Sequence, residues 1–278
     1  MNRNHCLMAL AIAALTLSAV TPRVHAAKKV LYFTKSSGFE HSVVARQGDR
    51  MAHSERIMAE ICAGKQVELT ITKDGSYLTP DRLREFDTIV FYTTGNLLEP
   101  GTDKHPAMSQ EALDALFAYV KDGGGFMAIH AGTDTLRSEP ASEYTKMVGG
   151  TFRTHGAQEV ATVKVVDPNF PAMKGLPVEF AFQEEWYLHQ QINLGKDMRV
   201  LMLLDCPNMK QDMYKELPPQ PMTWCSNYGD GRVFVTGIGH REDVWEAPWF
   251  KGMLDKAFDW TFGDVDGDAS PNFEKFLK

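Results

Sequence analysis

The first half of the chain alternates short continuous apolar runs with amphipathic stretches. Residues 29–34, 67–72, 87–92 and 126–129 are rich in β-branched and aromatic side chains. Such runs predict strands buried on both faces of a sheet. Between them, 43–61, 81–85 and 109–121 carry helical spacing. In the first, Val44, Met51, Ile57, Met58 and Ile61 should face inward. In the last, Ser109 is placed to cap a stripe of Leu113, Leu116, Phe117 and Val120, and Gly123-Gly124-Gly125 stops it. Strands separated by helices predict βαβ units and a parallel sheet covered on both sides.

The second half is richer in strands, at 159–166, 180–182, 200–204, 222–226 and 232–236. Tyr228-Gly229-Asp230-Gly231 is a strong turn, so the last two strands should form a hairpin. A closing helix over 248–261 presents Phe250, Met253, Leu254 and Phe258, with Phe262 just beyond, as one apolar stripe. The pattern contains no linker and no repeat, and predicts one α/β domain with a mostly parallel central sheet and a strand-rich C-terminal half.

The N-terminus departs from this pattern. Arg3, an apolar run over 7–20 and Val24-His25-Ala26 read as a secretory signal, 1–26, cleaved after Ala26. The run is too short for the roughly 20 residues that span a bilayer. Cleavage would remove Arg3 and Arg23 and no acid, taking the formal charge from −7 to −9 over the 252 remaining residues. An acidic chain of this kind excludes a phosphate-tracking nucleic-acid binder. The protein is therefore expected to be exported, periplasmic or extracellular, with no membrane contact after cleavage. Its Cys62, Cys206 and Cys225 are an odd set. Either Cys206 and Cys225 bridge, or all three are buried thiols. Asp264-Val265-Asp266-Gly267-Asp268 lacks the Gly and Glu of a calcium loop, so 264–278 is expected as an acidic tail behind a domain over 27–263.

Four histidines stand at strand-to-loop transitions: His41, His130, His155 and His240. In an open parallel sheet, ligands bind beyond the carboxyl ends of the strands. Imidazoles there suit a divalent metal such as zinc, or acid–base chemistry near neutral pH. His53, His105 and His189 have no comparable placement. Phe182-Gln183-Glu184-Glu185-Trp186-Tyr187 sets two acids in an aromatic frame. Adjacent strand side chains point to opposite faces, so one acid faces a site, and Glu185 is favoured. The candidate catalytic residues are His130, Glu185 and His155. The candidate metal ligands are His41, His130, His155 and His240. The candidate substrate contacts are His41, Trp186, Tyr187, Trp245 and Arg241. Trp186, Tyr187, Trp245 and Trp249 offer flat faces for a sugar ring if they are not core. No GxSxG nucleophile turn is present.

The chain resembles the ThuA-like, trehalose-utilisation family. The resemblance rests on Gly38-Phe39-Glu40-His41, the run from Gly124 to Gly132, Gly149-Gly150-Thr151-Phe152 with His155, and Glu184-Glu185-Trp186-Tyr187. It continues through Pro221-Met222-Thr223-Trp224, the run from Gly229 to Phe234, and Gly239-His240. It implies a class I glutamine amidotransferase-like superfamily member with a flavodoxin-like three-layer sandwich. Amidotransferases carry a reactive Cys on a G-x-C-x-G turn. Here the turn is Ala128-Ile129-His130-Ala131-Gly132, so glutaminase activity is not expected. The resemblance further implies a small carbohydrate as partner, a sugar or 3-keto-sugar glycoside. Proton abstraction by His or Glu, metal-assisted or not, would make the protein an isomerase or lyase. A non-catalytic sugar-binding protein and a metal-dependent hydrolase are the alternatives.

Overall fold

The computed structural model describes residues 27–194 and 196–276. The expected signal, 1–26, lies outside them. The strands are β1 (Lys29–Phe33), β2 (Glu68–Thr72), β3 (Thr88–Phe91), β4 (Gly125–Ile129), β5 (Thr151–His155) and β6 (Glu159–Val165). They continue with β7 (Glu179–Glu184), β8 (Tyr187–Gln190), β9 (Arg199–Leu204), β10 (Gln220–Tyr228) and β11 (Gly231–Thr236). The helices are α1 (His53–Lys65), α2 (Pro80–Leu83), α3 (Gln110–Lys121), α4 (Glu143–Val148), α5 (Asp212–Lys215), α6 (Glu242–Glu246) and α7 (Pro248–Thr261).

Nine strands form one sheet in the order β2-β1-β3-β4-β11-β10-β9-β6-β7, and β5 pairs with β8 apart from it. Pairing is parallel from β2 to β11 and antiparallel from β11 to β7. The parallel half is buried on both faces, which is why its strands read as unbroken apolar runs. Val30, Tyr32, Val90 and Tyr92 point towards α1 and α7. Leu31, Phe33, Ile89 and Phe91 point the other way, towards α3. This alternation makes the three layers. Ser109 caps α3, its hydroxyl accepting the Ala112 N–H at 3.0 Å.

Two expectations are corrected. The helix expected over 43–61 begins at His53. The apolar periodicity upstream comes from Val43 and Val44 buried in a turn, while Met51 is exposed. The start is set by Glu55, whose carboxylate accepts the Ala52 N–H at 2.9 Å and the Arg46 Nε–H at 2.8 Å. Residues 264–276 are also no free tail. The Asn272 side chain accepts the Val200 N–H at 2.7 Å and donates to the Val200 carbonyl at 3.0 Å. It supplies the pairing that β9 lacks on that edge, and Phe273 packs into the core beside it. Cys62, Cys206 and Cys225 are free, buried thiols.

Candidate functional site

His41 lies in the loop after β1, His130 directly after β4, and His240 in the loop after β11. Glu185 joins them from the connection between β7 and β8. Each offers one ligand atom, and these atoms lie within 4.8 Å of one another. The three imidazole centroids form a near-equilateral triangle of 5.1, 5.2 and 5.2 Å, with each pair of rings close to perpendicular. Glu185 Oε2 stands 3.0 Å from His240 Nδ1 and 3.5 Å from His130 Nε2, and those two nitrogens are 3.3 Å apart.

His130 holds a positive φ of 44° at the sharp turn out of β4. For a side chain with a Cβ this costs about 1–2 kcal/mol. Two hydrogen bonds hold it there. Its Nδ1–H donates to the Gly237 carbonyl at 2.7 Å, and its own carbonyl accepts the Thr133 hydroxyl at 2.9 Å. The first bond fixes the tautomer, so Nε2 faces the cluster with its lone pair. Burial lowers the His130 pKa, and burial with the neighbouring imidazoles lowers that of His41 to about 2. Burial acts to raise the Glu185 carboxyl, but its His130 and His240 contacts outweigh it and hold the group well below the usual carboxylate range.

The donor set fits a divalent cation. Ligand atoms about 2.0–2.1 Å from one tetrahedral ion stand about 3.3 Å apart, which matches the edges of 3.0, 3.3 and 3.5 Å. His41 Nδ1 is buried without a protein partner, while its Nε2 meets the Tyr187 hydroxyl at 3.2 Å. Three imidazoles and one carboxylate form a nitrogen-rich set suited to zinc and similar ions.

His155, expected among the metal candidates, stands outside the four. Its Nδ1 is 3.3 Å from Glu185 Oε1 and 2.8 Å from the Gly156 carbonyl, and its ring is half exposed. Arg241 lies on the rim of a cleft of about 370 Å³ that opens at His240 and is also lined by Ser42, Gln158 and Asp243. It is tied bidentately to Asp243 and bonded to Gln158. The larger cavity, about 820 Å³, is lined by Leu113, Phe117, Leu136 and Tyr144 and includes none of the four cluster residues.

The tryptophans overturn an expectation. Trp186 and Trp245 are fully buried and present no face to a ligand. Their indole N–H groups donate to the Glu159 and Gly239 carbonyls. Trp249 packs on Phe180 and Phe182. Phe39, beside the cluster, reaches solvent, 69% exposed and edge-on to His41 at 4.9 Å. Phe152 covers Tyr187 at 4.3 Å. Phe39 lies two residues ahead of His41 in the loop after β1, and that proximity is the signal the sequence offers. Glu184, expected to face away, is buried and accepts backbone N–H groups from the His240 turn.

The sequence profile of the ThuA family, described as trehalose utilisation, matches residues 29–261. No curated protein matches the chain. Among solved structures, a ThuA-like protein from Bacteroides uniformis is 22% identical, over 93% of this chain and 100% of that one, with a TM-score of 0.67. A second, from Parabacteroides merdae, is 15% identical over 86% and 91%, with a TM-score of 0.65. A β-galactosidase from Bacillus circulans sp. alkalophilus shares the fold at 10% identity, over 87% of this chain and 32% of that one, with a TM-score of 0.52.

Proposed function

The chain belongs to the ThuA family, within the glutamine amidotransferase-like superfamily, and from that premise we propose that it is an exported enzyme acting on a sugar or 3-keto-sugar glycoside by proton abstraction. The observation that carries the reading is the ring of three imidazoles around Glu185 at the carboxyl edge of the sheet.

His155 is the proposed base. Its Nδ1–H donates to Gly156, so Nε2 keeps its lone pair, and Glu185 Oε1 sits beside it to favour the imidazolium once formed. A carbonyl beside the target carbon acidifies its C–H bond. The proton passes to His155, and the electron pair moves onto the carbonyl oxygen. Reprotonation at the neighbouring position completes an isomerisation, whereas loss of a β-substituent completes an elimination. His41, His130, His240 and Glu185 would hold a divalent cation, which when bound supplies positive charge to the enediolate oxygen. His130 carries no thiol at the elbow, so glutamine hydrolysis is outside the proposal. Phe39 offers the apolar face on which a pyranose stacks, and Arg241 and Gln158 border its hydroxyls.

The test is incubation of a 3-keto-glycoside with the protein in heavy water. Proton abstraction exchanges a ring hydrogen for deuterium, and His155→Ala or His130→Ala abolishes the exchange. Cleavage without deuterium uptake would favour a metal-dependent hydrolase. Binding without turnover would favour a sugar-binding protein.

A further inference from the structure

Glu184 ends β7 fully buried and contributes no atom to the four-residue cluster. Its Oε1 accepts the Glu185 N–H at 2.9 Å and the His240 N–H at 3.2 Å. Its Oε2 accepts the Gly239 N–H at 3.2 Å. The same turn is gripped from its other side. The Gly239 carbonyl accepts the Trp245 indole N–H at 2.7 Å and the Tyr92 hydroxyl at 3.2 Å. Gly239 has a φ of 127°, a conformation that glycine adopts freely and side chains with a Cβ avoid, so these bonds select one of the many shapes open to the turn.

We propose that Glu184 is a positioning residue that clamps the Gly239-His240 turn to the end of β7, and thereby sets the spacing of His240 against Glu185 and the cluster's hold on a divalent cation. The inference rests on the reading of the four residues as a cation centre. Three N–H groups converge on one side chain, and its two oxygens accept all three, Oε1 two of them and Oε2 the third. Glutamine would turn an NH₂ towards one of these N–H groups. The linkage is short. Glu184 is bonded to the backbone of both residues whose side chains, His240 Nδ1 and Glu185 Oε2, stand 3.0 Å apart. Groups that orient ligands in this way typically change metal affinity by about 10–100-fold when altered.

The experiment compares wild type, Glu184→Gln and the neighbouring surface change Gln183→Ala. Zinc affinity is read by calorimetry. The backbone amides of Gly239 and His240 and the His240 imidazole are read by ¹⁵N NMR. Glu184→Gln is expected to bind zinc about 10–100-fold more weakly. It should also lose amide protection at 239–240 and shift the His240 ring signals, while Gln183→Ala matches wild type in all three. Where the glutamine variant does not fold, Glu184→Asp, which keeps the charge but shortens the reach, gives the same comparison. Wild-type zinc affinity, or wild-type amide protection, in a folded Glu184 variant overturns the proposal. If wild type itself takes up no zinc, the cation reading fails, and the NMR signals alone decide the clamp. A displaced His240 ring sustains it and an unmoved ring overturns it.

Discussion

His130 Nδ1 lies 2.7 Å from the carbonyl oxygen of Gly237, and this bond joins the end of β4 to the end of the adjacent β11. The Gly237 side-chain position beside this bond has room for hydrogen only. A Cβ there would stand 2.8 Å from Met222 Sδ and 3.1 Å from His189 Cε1. Gly237→Ala is therefore expected to cost about 1–3 kcal/mol through overpacking, and to weaken zinc binding by moving the carbonyl that orients His130. Thermal melts and zinc titration check both effects, and wild-type values in both would refute the orienting role.

His155 and His240 should separate by function. His155→Ala is expected to lower turnover by about 10²-fold or more while zinc affinity stays within a few-fold of wild type. His240→Ala should lose zinc binding itself. Equal loss of zinc by both variants would make His155 a ligand and remove it as the base.

Phe39 and Trp186 make opposite predictions. Phe39→Ala removes an exposed ring, so stability should stay within about 0.5 kcal/mol while KM for the sugar rises. Trp186→Ala opens a fully buried cavity and orphans the Glu159 carbonyl, at about 3–5 kcal/mol. Chemical denaturation paired with kinetics distinguishes them. An unchanged KM in Phe39→Ala would exclude that ring from the substrate.

His189 predicts acid lability. Burial lowers its pKa from 6.5 to about 3. Below pH 6.5 the unfolded chain takes up a proton that the folded chain refuses. Stability from this group is thus complete above pH 6.5 and falls by about 1.4 kcal/mol per pH unit as pH drops towards 3. Urea titrations between pH 7 and pH 4 should show this slope reduced in His189→Gln. Parallel slopes for the two proteins would contradict it.

Asn272 predicts that the last segment belongs to the fold. Asn272→Ala strips both partners from the buried Val200 backbone, at about 1–3 kcal/mol for each group left unsatisfied. Hydrogen exchange at the Val200 amide should accelerate, and exchange at the wild-type rate would return the segment to solvent.

The parallel half was legible because burial on both faces leaves β1, β3 and β4 as unbroken apolar runs. Ser109 and the three glycines likewise bracket α3 without tertiary help. The hairpin of β10 and β11 was carried by one local turn. The ribbon of β5 and β8 was not legible, since β5 is mostly polar and β8 is four residues, the first three buried in succession, so neither carries an alternating pattern of useful length. The strand-end placement of His41 and His130 followed from local sequence. Their meeting with His240 and Glu185 depends on the lateral order of strands, which no local pattern encodes. Trp186 and Trp245 carry the same composition whether stacked on a sugar or sealed in the interior, and only the long-range packing decides between them. Glu184 faced away from the site by strand alternation, but alternation says nothing of which backbone waits on the other face.

The change from parallel to antiparallel pairing at β11 has a consequence for how the centre comes into being. His41 and His130 arrive with the parallel strands, Glu185 with the antiparallel ones, and His240 at the seam, 199 residues along the chain from His41. Contacts across so long a span carry a loop-closure cost that local contacts escape. A chain caught before the two halves dock presents His41 and His130 without Glu185, a weaker and less selective set of donors. The grip on an ion then arises in one step with the finished tertiary structure, and its strength is a gauge of how completely the chain has folded.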